Sequence, residues 1–145
     1  MDTLEDKLIA SLKRHEGLRL SMYTDSVGVP TIGYGHNLNV PISKHAADVI
    51  FIDDFRAASA NAKRIPVFDA LSPVRQAVLI EMVFNMGLQS VLGFRQMLAH
   101  LEAGRYDAAA MEMLNSRWAR QVGPRAKNLS EIMSRGVWLN GGDRA

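Results

Sequence analysis

No cysteine occurs among the 145 residues, which excludes a disulfide framework and any thiolate zinc site. No stretch reaches the ~18 consecutive apolar residues that a membrane span requires. The N-terminal segment MDTLEDKLIASLKRHEG carries acids at Asp2, Glu5 and Asp6, where a secretory signal needs positive charge followed by an apolar run. A substrate beyond an inner membrane would therefore call for a separate route across it. The eleven glycines follow no period, and there is neither an internal repeat nor a low-complexity tract. Net charge is also small, at +2. With so slight an excess, and no aromatic platform or known binding motif, nucleic acid is not an expected partner.

What is present fits one ordinary globular domain. Hydrophobic residues make up 48% and charged residues 22%, far from the composition of a disordered tail. A chain of this length buries roughly 68–70% of its unfolded surface. The charge is uneven: residues 1–92 hold nine Lys/Arg against ten Asp/Glu, and residues 93–145 hold eight against five. Arg117, Arg120, Arg125 and Lys127 fall together without an intervening acid. Such a stretch is either a solvated face or a site for an anionic partner, such as an acidic membrane surface or the acidic polymers of a cell wall.

Periodicity divides the chain further. Asp2 or Thr3 can cap a first helix with an apolar stripe of Leu4, Leu8, Ile9 and Leu12, ended by Gly17 at about His15–Glu16. From Leu18 to Pro41, short alternating pieces punctuated by Gly28, Pro30, Gly33 and Gly35 predict an antiparallel sheet of two or three strands. Ser43 then caps a long helix to about Lys63, with Ala47, Ile50, Phe51, Phe55, Ala58 and Ala62 on one broad side. Ser72-Pro73 starts another helix, Val74 to Met86, apolar nearly all round except Arg75, Gln76, Glu81 and Asn85. Shorter helices are expected at about 94–102, 107–115 and 125–135, and residues 139–145 read as a frayed tail. The methionines at 82, 86, 97, 111, 113 and 133 are expected as core filler. The predicted class is α+β in a single domain: a sheet-bearing N-terminal lobe (about 1–42), a bridging helix (43–65) and a helical C-terminal lobe (66–145).

Within this frame, Glu16, Asp25 and Thr31 form the constellation with chemistry. Glycoside hydrolysis uses a proton donor for the leaving oxygen and a second carboxylate that manages water or positive charge on the opposite sugar face. Glu16 closes a helix whose C-terminus carries partial negative charge. Held there and partly buried, its ionised form would be disfavoured, as a general acid requires. Asp25 lies in the turn-forming triplet Thr24-Asp25-Ser26, where capping its own turn is the ordinary role. Thr31 follows Pro30 in a strand-favouring position, and its hydroxyl could also hold water against Asp25. Singly, each has an ordinary structural explanation, and the three in this order, taken bare, are a weak signal; the string in which they are embedded is what carries weight.

The run Glu16-Gly17, Tyr23, Asp25, Gly28 and Thr31-Ile-Gly-Tyr-Gly-His36 resembles the active-site segment of the T4-type phage lysozymes, including their Glu-x8-Asp-x5-Thr spacing. Pro66-Val-Phe-Asp-Ala-Leu, Val83-Phe-Asn-Met-Gly, Ser116-Arg-Trp118 and Pro124-Arg125-Ala-Lys resemble that family's C-terminal lobe, so the likeness runs from about residue 4 to 138. The resemblance implies a lysozyme-like fold and an endolysin that hydrolyses the β-1,4 bond between N-acetylmuramic acid and N-acetylglucosamine of peptidoglycan. It implies Glu16 as general acid, Asp25 as the carboxylate that positions water, Thr31 as its helper, and inversion at the sugar. Carboxyl groups about 6.5–9.5 Å apart suit inversion, and about 5–5.5 Å suits retention. Gly33 and Gly35 would let backbone approach the sugar. His36 would be a structural histidine paired with Asp53 or Asp54. Phe84 and Asn85 would face the substrate, and Trp118 would be either core or the wall behind Asn85. Arg125 would reach Glu16, opposing the helix-end effect on its protonation.

No cofactor and no metal is expected; a zinc set of His36, Glu16 and Asp25 is the weaker reading, because no single element supplies the ligand spacing. The expected molecule is a monomer that is made in the host cytoplasm, depends on a holin for access, has no integral membrane association, and acts on periplasmic peptidoglycan to lyse the host. The segment before the bridging helix, and that helix itself, are shorter than in the best-known family members, and Asn85 replaces a longer amide. The alternatives are a lytic transglycosylase, against which Asp25 and Thr31 argue, and a non-catalytic wall-binding or phage-structural module.

Overall fold

Thr3 opens the first helix with a reciprocal cap. Its side chain accepts from Asp6 N–H at 3.1 Å while the Asp6 carboxylate accepts from Thr3 N–H at 2.9 Å, which satisfies two otherwise orphaned donors. Helix α1 runs Leu4–Glu16 and stops where Gly17 takes φ +73°. The structure is a computed structural model that describes residues 1–140, so most of the expected 139–145 tail lies outside the described residues. Within it, Leu139 packs against the core rather than fraying.

The chain forms two compact units, residues 1–48 and 49–145. In the first, α1 is followed by β1 (Arg19–Thr24), β2 (Pro30–Gly33) and β3 (His36–Asn37), an antiparallel sheet of order β1-β2-β3. Tyr23 pairs with Thr31 and Thr24 with Pro30 across β1 and β2, and Thr31 pairs with Asn37 across β2 and β3. Thr31 therefore sits on the central strand. The stripe on α1 is not buried as its periodicity predicts: α1 has no buried residue, and Leu4, Leu8, Ile9 and Leu12 are exposed. Periodicity defines an amphipathic face without specifying what covers it.

Helix α2 (Lys44–Ala62) spans the unit boundary, with Ser43 accepting from Ala46 N–H at 3.1 Å at its start. On its expected apolar side only Ala58 and Ala62 are buried, whereas Ile50, Phe51 and Phe55 are exposed. A 3-10 turn (Phe68–Ala70) leads to α3 (Pro73–Met86), with Ser72 as N-cap and Pro73 at the first helical position. Then come α4 (Leu88–Leu92), α5 (Arg95–Glu102), α6 (Tyr106–Leu114), α7 (Arg117–Val122) and α8 (Pro124–Arg135). Helix α8 packs on α3, α6 and α7. Val78, Leu79 and Met82 of α3, and Ile132 and Met133 of α8, lose all or nearly all their exposure.

The expected methionine filler holds at 82, 97, 113 and 133, which are fully buried, but Met111 is 64% exposed. Helices α4 and α7 and the 3-10 turn escape sequence reading because six residues or fewer give too little length for a 3.6-residue period to register. Three strands and eight α-helices among the described residues give the α+β class expected. None of these helices is long and apolar enough to cross a membrane.

Candidate active site

The first unit carries the three proposed catalytic residues. Glu16 is the last residue of α1, after Lys13, Arg14 and His15. It is exposed rather than partly buried as expected. Its carboxyl lies close to the Gly35 backbone. A Cβ built on Gly35 would lie 2.3 Å from Glu16 Oε2 and 2.8 Å from its Cδ. Gly35 also holds φ +70° in the Tyr34-Gly35 turn between β2 and β3. The backbone conformation favours glycine there, and a side chain would displace the Glu16 carboxyl. At Gly33, also φ +70°, a Cβ would meet nothing within 4 Å, so that backbone faces open space.

Asp25 sits in the connection between β1 and β2. Its Oδ1 accepts from Val27 N–H at 2.9 Å and Val29 N–H at 2.8 Å, and its own N–H donates to Val29 carbonyl at 2.9 Å. The turn-capping role expected of this residue type is therefore present. It uses one carboxylate oxygen and leaves Oδ2 without a hydrogen bond among the described residues. Thr31 is 3% exposed and its hydroxyl donates to the same Val29 carbonyl at 2.8 Å. With its proton committed, Thr31 Oγ1 can only accept from a ligand or water. Val29, through its backbone N–H and carbonyl, ties Asp25 and Thr31 into one hydrogen-bonded unit. Its apolar side chain gives no hint of this role; the one available signal is its place between two candidate polar residues.

His36, on β3, is half-buried, and its Nε2 is buried without a hydrogen-bond partner among the described residues. Among the described residues no three His, Cys, Asp or Glu side chains converge as a metal-binding group.

The second unit holds the other candidates. Trp118 is 6% exposed, stands edge-on to Phe94 at 6.2 Å, and donates from Nε1 to Asn85 Oδ1 at 2.7 Å. This tryptophan is a core residue and at the same time backs Asn85. An indole N–H can only donate, so the Asn85 amide must turn its oxygen inward and its NH2 outward. Phe84 is 39% exposed, with its ring 5.6 Å from that of Phe51. Arg125 donates from Nε to Glu81 Oε2 at 2.9 Å. Both line a pocket of about 370 Å³ whose walls include Phe55, Ile80, Phe84 and Trp138. Glu81 is absent from the sequence-derived candidates. Its signal lies in its position, because it is the sole acid on α3, a mostly apolar helix.

Comparison with known proteins supplies the remaining observation. Residues 13–135 match the family described as phage lysozyme. The chain is 28% identical over 87% of its length to probable T4-type lysozyme 1 of Dictyostelium discoideum, covering 92% of that protein. It is 34% identical over 70% of its length to the endolysin of Salmonella phage P22, covering 75% of that chain. It is 31% identical over 86% of its length to the pre-baseplate central spike protein of Enterobacteria phage T4, of which it covers 27%.

Proposed function

The chain belongs to the phage lysozyme family and is a glycoside hydrolase of the bacterial cell wall; from that premise we propose that it cleaves the β-1,4 bond between N-acetylmuramic acid and N-acetylglucosamine. Glu16 gives its proton to the leaving glycosidic oxygen. Asp25 and Thr31 orient the attacking water, whose oxygen adds to the opposite face of the sugar as its proton passes to the Asp25 carboxylate, in a single displacement with inversion.

The observation that carries this reading is the Val29 backbone shared by Asp25 and Thr31. It leaves two acceptors, Asp25 Oδ2 and Thr31 Oγ1. A water that donates one proton to each keeps an oxygen lone pair for attack, so the pair orients the nucleophile without consuming it. Gly35 supports the acid's role by letting the Glu16 carboxyl lie against the β2–β3 loop. His36 supports that loop from β3, and Phe84, Asn85, Trp118 and Arg125 serve substrate binding.

In the cell this is the work of an endolysin, a monomer admitted to the wall through a holin-type pore at the end of a phage cycle. The similarity to a spike protein favours one other role for the same chemistry, local wall cleavage by a virion-borne lysozyme.

Replacing Glu16→Gln tests the assignment. Release of soluble fragments from purified sacculi should fall by at least about a thousandfold, within the range that general acid catalysis contributes, with the circular dichroism spectrum unchanged. Mass spectrometry of wild-type products should find reducing N-acetylmuramic acid ends. Retained activity in the variant would reject Glu16, and 1,6-anhydro ends would replace hydrolysis by transglycosylation.

A further inference from the structure

Lys13 stands one helical turn before Glu16 on the same face of α1, in the last turn of the helix. The partial negative charge of the helix end favours a cation there, so its presence alone needs no functional account. What the helix end does not explain is where the side chain goes. No ion pair joins Lys13 to Glu16 among the described residues. The ammonium lies instead over the ring of Tyr34, 5.2 Å from the centroid, close enough for the negative face of the ring to attract it.

Tyr34 is no core ring. It is 45% exposed and takes the first position of the turn between β2 and β3. Its neighbour Gly35 is the residue whose backbone lies against the Glu16 carboxyl. The cation–π contact and the Gly35–Glu16 approach therefore bridge the same two segments, the last turn of α1 and the β2–β3 turn. No hydrogen bond or ion pair among the described residues ties that turn to α1, and none holds the Glu16 carboxyl. On its far side the turn runs into β3, a strand of two residues, which supplies few ladder bonds to anchor it.

We propose that Lys13 and Tyr34 are positioning residues that form a clasp. The ammonium over the ring draws the Tyr34-Gly35 turn onto the end of α1 and so keeps the general acid seated at the Gly35 backbone. The same contact stops the Lys13 ammonium from turning to Glu16 and pulling the carboxyl back along its own helix. Neither residue touches substrate in this role. The inference rests on Glu16 as the acid of the proposed hydrolase and names what keeps that acid in place.

Kinetics on soluble glycan strands of peptidoglycan test it, with kcat and KM measured separately. The proteins are the wild type, Lys13→Met, Tyr34→Leu, the Lys13→Met/Tyr34→Leu double variant, Lys13→Arg and Tyr34→Phe. Each of the first two variants should lose about twofold to fivefold in kcat, the scale of one exposed cation–π contact. KM should change little, because proton donation belongs to the transition state and not to binding. The double variant should lose no more than either single one. Lys13→Arg keeps a cation and Tyr34→Phe keeps the ring face, so both should retain the wild-type kcat. Arg19→Met is the control. Arg19 lies 4.7 Å over the Tyr23 ring, but both residues belong to β1, so that contact cannot draw the turn to the helix and its loss should leave kcat unchanged.

Multiplying losses in the double variant, a loss carried by KM alone, a Tyr34→Phe as slow as Tyr34→Leu, or an equal loss in Arg19→Met would overturn the clasp. Should Tyr34→Leu fail to fold, Lys13→Met against Lys13→Arg still decides. Clasp variants as fast as the wild type, beside an inactive Glu16→Gln, would reject this inference and leave the hydrolase reading standing. A wild type inactive on these strands would sink that reading itself.

Discussion

Gly35 shows how much of the proposed chemistry rests on a missing side chain. A Cβ at this position would stand 2.3 Å from Glu16 Oε2, on a backbone already at φ +70°. The carboxylate is the far end of a flexible side chain, so it would yield before the loop does. Gly35→Ala should therefore push Glu16 out of place and cost about 1–3 kcal/mol in backbone strain. A misplacement of about 1 Å at a reacting group is worth roughly a hundredfold in rate. We expect kcat on sacculi to drop by about that factor, with far-UV circular dichroism preserved; a fully active Gly35→Ala would show that the contact does not position the acid. Residues of this kind mark the boundary of what the sequence reveals. Glu16, Asp25 and Thr31 are legible as candidates because their types and spacing carry the chemistry. Val29 is not, because it acts through its backbone, and the Glu81–Arg125 pair is not, because a separation of 44 positions leaves no local pattern.

At the scale of elements, local signals are the reliable ones. Thr3, Ser43, Ser72 and Gly17 mark helix ends in the sequence and cap or end helices in the structure. What the sequence does not carry is partnership: α1 and the first half of α2 have apolar faces that remain exposed. The cap of α1 carries a titration signature. Hydrogen bonds from the Thr3 backbone N–H and from its hydroxyl hold the Asp6 carboxyl below its ordinary value of 3.8. A carboxyl depressed in the folded state contributes stability that is complete above its unfolded value and disappears as pH falls through its folded value. The N-terminal turn of α1 should therefore fray only below pH ~4. Thr3→Ala, which keeps the backbone N–H and removes the hydroxyl, should return Asp6 part of the way toward the ordinary carboxylate range and move that fraying to higher pH. NMR titration of the Asp6 carboxyl carbon, with the amide shifts of residues 4–7 followed in parallel, reads both; an unmoved titration in the variant would discount the Thr3 hydroxyl and leave its backbone N–H, the larger cause, as the source of the shift.

At the scale of the whole helical unit, one arginine does what no single element can. Helix α8 ends at Arg135, and the last carbonyls of a helix have no partner within it. Arg75 of α3 reaches across to two of them, donating from Nε to Met133 carbonyl at 2.7 Å and from Nη2 to Ser134 carbonyl at 2.9 Å. Its guanidinium lies 3.5 Å from the ring centroid of Tyr106 at the start of α6. Three helices separated in sequence are thus joined by a cation placed where the α8 dipole is negative. Lysine cannot reproduce this, since its ammonium lacks the planar fork and stacks poorly on a ring. Removing the side chain leaves two partly buried carbonyls without their donors, a loss of about 2–4 kcal/mol. For a domain of this size each kcal/mol lowers the unfolding midpoint by roughly 2–4 °C, so Arg75→Ala should melt about 5–15 °C below the wild type. Arg75→Lys should fall nearer to the alanine variant than to the wild type. If lysine restored the midpoint, charge alone would account for the effect, and the fork and its stacking on Tyr106 would be incidental.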